Sequence, residues 1–127
     1  MTDALSQQAL SNLIGSIYDC ALNPALWEQT LNGMRGALDC QEAAIRLSDL
    51  RSGSFLIYKS VGTETRWEKE HPKHLAETHG YIEGVLSSPR AFDVPHVLSR
   101  HVSKEFIAAS RYVQGFMLPQ GIVDKMI

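Results

Sequence analysis

Five histidines carry most of the acid–base and metal-binding capacity of the 127-residue chain: His71, His74, His79, His96 and His101. His71 and His74 are three apart, with Glu70 and Glu77 beside them. A structural metal site needs about four ligands at fixed geometry. Pro72 lies between the two histidines and disturbs the helical register that would bring them together. No HExxH, CxxC or calcium-loop pattern occurs, so these histidines read as solvated helix-surface residues, with no metal and no cofactor. Nucleophilic chemistry is no better supplied. Cys20 and Cys40 sit in no catalytic context, no serine lies in GxSxG, and the glycines form no phosphate loop. Glu64, Glu68, Glu70 and Glu77 read as a solvated helical face. The expectation is a protein that is not an enzyme.

The aromatic residues point to binding instead. Tyr58, Trp67, and the pair Tyr112 and Phe116 fall on three expected elements and, with His79, could line an apolar pocket that has a few polar handles. The competing reading is that the rings fill the core, as aromatics at helical spacing usually do.

The elements that must position these residues follow from periodicity. Leu10, Leu13, Ile14, Ile17, Tyr18, Ala21 and Leu22 keep helical spacing for over three turns. Asn23-Pro24 ends that helix and starts a second, with Asn23 as cap and a buried stripe of Trp27, Leu31, Met34 and Leu38. Gly33 and Gly36 weaken the second helix or let it pack closely. Residues 43–50 and 54–61 alternate as two strands around a polar turn, which predicts an antiparallel hairpin with one face buried. A helix around Trp67 is expected over 63–71, capped by Thr63 or Thr65, with a short helical stretch over 73–78 beyond Pro72. Residues 81–97 read as a long connection. Residues 103–117 read as one amphipathic helix capped by Ser103, stopped where Pro119 pushes Leu118 out of the α region. Leu118-Pro119-Gln120-Gly121 fits a type I turn, and 122–127 reads as a third strand.

Composition bounds the rest. At 44% hydrophobic and 20% charged, with a formal charge of −2, the chain is an ordinary globular domain. It lacks the basic footprint of a nucleic-acid binder. The N-terminus does not read as a secretory signal and no run of residues reads as a membrane span, so the cytoplasm is expected, with both cysteines reduced. One domain is expected over 1–127: a helix pair over about 4–39, then a sheet and its covering helices over about 42–127.

A family resemblance runs through the same residues. Val97-Leu98-Ser99, Glu105-Phe106, Ser110, Tyr112, Phe116 and Leu118-Pro119-Gln120-Gly121-Ile122 resemble the N-terminal sensor region of LuxR-type helix-turn-helix transcriptional regulators. So do Leu13 to Asp19, Asn23-Pro24, Leu26-Trp27 and the Asp49-x-Arg51-Ser52-Gly53-x-Phe55 run of the hairpin. The resemblance is weakest over 68–96. It implies an α+β, PAS- or GAF-like sensory domain: an antiparallel sheet with flanking helices, cut short at its C-terminal strands. It also implies binding of a small molecule or a partner, and signalling to a DNA-binding domain that these residues do not include. The alternative is a dimerisation module with a filled core. Three strands where such sheets have five or six leave the edge at 122–127 open, which predicts a homodimer with that strand at the interface.

Overall fold

The computed structural model describes residues 4–49, 51–52, 54–74, 77 and 94–127. The chain is mixed α and β, with one two-stranded antiparallel sheet among the described residues. It divides into two compact units, Met1–Thr63 and Glu64–Ile127.

The first unit opens with α1, Gln7–Leu22, whose first turn is capped by Ser6 Oγ accepting from the Ala9 N–H. Asn23 then leaves the helical region, and its side chain accepts from the Ala25 N–H. The tight turn Pro24–Leu26 runs straight into α2, Trp27–Leu38. Asp39 ends α2 in the left-handed conformation. The pair is closed by Leu31 and by a polar contact: the buried Cys20 thiol donates to Thr30 Oγ1 at 3.2 Å. Leu38, expected in the buried stripe, is largely exposed. Close packing does not explain the two α2 glycines. A Cβ on Gly36 would meet nothing within 4 Å, and one on Gly33 only Leu13 at 3.8 Å.

Strands β1, Ala43–Ser48, and β2, Phe55–Val61, pair antiparallel, with Ala43 opposite Val61 and Leu47 opposite Ile57. Asp49 holds the turn by accepting from the Arg51 N–H and the Ser52 hydroxyl. Hydrogen bonds from these two residues keep its carboxyl below the ordinary range. The hairpin packs on α2, and Lys59 reaches Glu28 of that helix at 2.9 Å. Side chains alternate along a strand, so the α2-facing row is Ala43, Ile45, Leu47, Ile57, Lys59 and Val61. Only the Val61 end of it is buried, while Leu47 and Ile57 at the far end are each 51% exposed. The expected buried face therefore exists over half its length, where α2 covers it.

In the second unit α3 is Thr65–Glu70, and Glu64 rather than either threonine occupies its cap position. A 3-10 turn follows at His71–His74. Most of the connection expected over 81–97, through residue 93, lies outside the described residues, as do residues 75, 76 and 78 of the stretch expected over 73–78. Beyond them come α4, Leu98–His101, and α5, Lys104–Ala109. Two departures from the sequence expectation matter here. The helix expected over 103–117 is broken at Ser110, which is extended at ψ 114°. Ser110 Oγ accepts from the Val113 N–H and so starts a new segment, as Ser103 Oγ does for Phe106. That segment is a wide π turn, Val113–Met117, and it continues through Leu118 in the α region. Pro119 does not stop it, because it opens the 3-10 turn Leu118–Gln120, where a missing N–H costs nothing. The turn itself is as expected, with the Gly121 N–H donating to the Leu118 carbonyl at 2.9 Å.

The second departure is the third strand. Residues 122–127 do not join the sheet. They form a single antiparallel bridge, Val97 to Met126, flanked by His96 and Ile127 exchanging both backbone hydrogen bonds. The segment 122–127 is therefore not the outer strand of that sheet that the sequence reading expects. Asp124 fixes the arrangement by accepting from both the hydroxyl and the N–H of Ser99, capping the first turn of α4 from 25 residues away. Burial raises its carboxyl, but the Ser99 bonds and the Lys125 N–H outweigh this and hold it below the ordinary 3.8.

Asp124→Ala should therefore destabilise the second unit by about 1 kcal/mol, at the low end for a cap because the carboxylate is exposed. The folded value is depressed, so the contribution is complete above the ordinary value and is lost as pH falls through the folded one. Urea unfolding read at Trp67 should separate wild type from variant at neutral pH and bring them together in strong acid.

Candidate functional site

Trp67, Tyr112 and Phe116 meet in the core of the second unit with Leu98, Val113 and Met117. Phe116 is the centre. Tyr112 stacks on it at 5.3 Å between ring centroids, and Trp67 meets it edge-on at 5.9 Å. The wide turn explains how Tyr112 and Phe116, four apart, share a side although the helix before them is broken. Trp67 comes from α3, one turn before Pro72. So Trp67 and Tyr112 flank the same space, and the rings that could line it touch one another across it.

Two histidines that the sequence reading leaves on the surface complete the cluster. His71 is only 8% exposed, with its ring 5.4 Å from Phe116, and His74 lies 5.2 Å from the same ring. Pro72 does not separate them. It sits in a 3-10 turn, where side chains three apart eclipse, and this puts both imidazoles on Phe116. His74 Nδ1 and Glu77 Oε2 are 2.6 Å apart in a half-buried pair, so Glu77 is not on a solvated face. A carboxylate there fixes the orientation of the imidazole. Lys125 Nζ stands 5.3 Å above the Tyr112 ring and 3.5 Å from its hydroxyl, and the Arg66 guanidinium lies 4.8 Å over Trp67. The rim is thus cationic and the interior apolar.

Tyr58 lies in the first unit, on β2 opposite Arg46, and is 40% exposed. His79 lies outside the described residues. Among the described residues no group of three or more histidines, cysteines or acids could hold a metal ion, and no helix is long and apolar enough to cross a membrane.

The first unit has an opening of its own. Between α1 and α2 is a half-open cleft of about 400 Å³. Leu13 and Leu26 give it apolar wall, and Ser16, Asp19, Gln29 and Thr30 give it hydrogen-bonding groups. The signal for it in sequence is the pair Ser16 and Asp19 on the same side of α1 as Leu13, with Gly33 on α2. Comparison with models of known protein families, with curated proteins and with solved structures gives no match.

Proposed function

We propose that the chain is the sensory or regulatory part of a LuxR-type transcription regulator, acting as a cytoplasmic homodimer. In this reading it binds a small, largely apolar molecule and passes the change to a DNA-binding domain outside these residues. The 43–61 hairpin then corresponds to two strands of a PAS- or GAF-like sheet. One observation carries the reading. The residues of the last helix that resemble the sensor family, Tyr112 and Phe116, are the ones at the centre of the aromatic cluster. The wide turn that follows Tyr112 and bears Phe116 is a conformation frequent at functional positions in helices. A ligand meeting the rings would have the Tyr112 hydroxyl and the His74–Glu77 pair as polar handles.

A second reading is a dimerisation module with no ligand. It is favoured by the mutual contact of the rings, which fill the space they enclose. Native mass spectrometry of freshly purified protein separates the two. The sensor reading expects a co-purified small molecule whose removal changes Trp67 fluorescence. Bare polypeptide mass, with no compound of a metabolite extract altering Trp67, leaves the module.

A further inference from the structure

Helix α1 is built with its larger apolar residues outward. The face it turns to α2 carries Leu13, Ser16 and the buried Cys20. The flank about a third of the way round the helix carries Leu10, Ile14, Ile17 and Ala21, spaced four, three and four apart. That is the spacing of a coiled-coil seam. Leu10 and Ile14 are 48% and 46% exposed, Tyr18 beside them 73%. A helix that had merely to cover a domain would show the reverse pattern.

We infer that α1 is the contact by which two copies of this chain pair, seam to seam, about a two-fold axis. The inference rests on the homodimer of the reading above and names its surface. Three observations select a second copy as the occupant. The seam matches its own spacing, so one patch serves both partners, as a two-fold interface requires. The only charged residue of the helix is Asp19, which by that spacing falls at the position farthest from the seam. Two copies therefore meet without charge repulsion, and a charged partner would find nothing to pair with. The area allows it: the seam with Tyr18 and Leu22 beside it exposes at most about 500 Å² per chain. Two such faces bury at most about 1,000 Å², the lower limit for a specific interface.

The test uses the 127-residue chain in sedimentation or light scattering over a dilution series. Wild type is expected to be a dimer at micromolar concentration. Ala21→Arg is the sharper variant. Ala21 is exposed near the C-terminal end of α1, so an arginine there fits the helix and disturbs nothing within one copy. It is expected to raise the dissociation constant at least a hundredfold, as is Ile14→Asp, with unchanged far-UV circular dichroism. A dimer that survives Ala21→Arg overturns the interface and leaves the homodimer standing. A wild-type chain that stays monomeric at every concentration overturns both.

Discussion

Phe116→Ala is expected to unfold most of the second unit in water. Phe116 is 3% exposed, and four rings lie against it: Trp67, His71, His74 and Tyr112. Truncating a buried phenylalanine costs about 3–5 kcal/mol, the loss of transfer energy plus the cavity left behind. Each aromatic pair adds about 0.5–1.5 kcal/mol beyond burial. A unit the size of Glu64–Ile127 has on the order of 3–9 kcal/mol of total stability. The loss is therefore comparable to the whole. Each unit contains one tryptophan, Trp27 in the first and Trp67 in the second, so the effect can be assigned. In a Trp27→Phe background, Phe116→Ala should shift Trp67 emission to that of the denatured chain without denaturant. Leu118→Ala, next to the cluster but 40% exposed, should move the urea midpoint little. A Phe116→Ala protein with a native Trp67 spectrum and a near wild-type midpoint would show that the ring cluster is not what holds the unit together.

The same cluster shows what could be read from sequence and what could not. Local signals with local partners were legible: Asn23-Pro24 between α1 and α2, the alternating runs of the hairpin, Ser103 as a cap, and the Leu118 to Gly121 turn. That Trp67, Tyr112 and Phe116 share one space was an expectation that depended on their two helices packing together, which residue spacing alone does not fix. Three features failed for distinct physical reasons. Ser110 has the residue type of a cap and lies seven residues after another, yet the apolar period runs through it unbroken, and the period hid the break. Residues 122–127 have strand composition, but strand composition does not name a partner. The partner is 96–98, and the pairing depends on one carboxylate at Asp124 reaching Ser99. Pro72 reads as a separator of His71 and His74 only if the turn is an α-helix. In a 3-10 turn the same spacing aligns them. Outward-facing Leu10, Ile14 and Ile17 went unseen because periodicity identifies an apolar face but not which way it points.

Gly62→Ala is expected to cost the first unit about 3 kcal/mol or more, the largest effect of any glycine substitution that the surroundings of these residues suggest. Gly62 follows β2 at φ +85°, a conformation that costs a residue with a Cβ about 1–2 kcal/mol. Space is the larger obstacle. A Cβ at this position would run into the backbone carbonyl of Gln41 and stand 2.8 Å from both Cζ and Nε of Arg35. The Gln41 carbonyl is backbone and cannot yield cheaply, whereas the end of the Arg35 side chain can shift at the loss of its bond to Asn32. The Gln41 carbonyl belongs to the segment that leads into β1, which is paired with β2 up to Ala43 and Val61. Arg35 is held at the end of α2, where its guanidinium donates to Asn32 at 3.0 Å and its carbonyl accepts from the Cys40 N–H at 3.1 Å. The methyl group thus forces the turn after β2 away from the Gln41 backbone that leads into β1. The same substitution at Gly36 is the control. That position is inside α2 with nothing within 4 Å of the added carbon, so Gly36→Ala should stabilise the unit by up to about 1 kcal/mol. Urea unfolding followed at Trp27 in a Trp67→Phe background should move the two midpoints in opposite directions from wild type. Equal midpoints for Gly62→Ala and wild type would mean that the chain after β2 can leave its left-handed turn without disturbing α2.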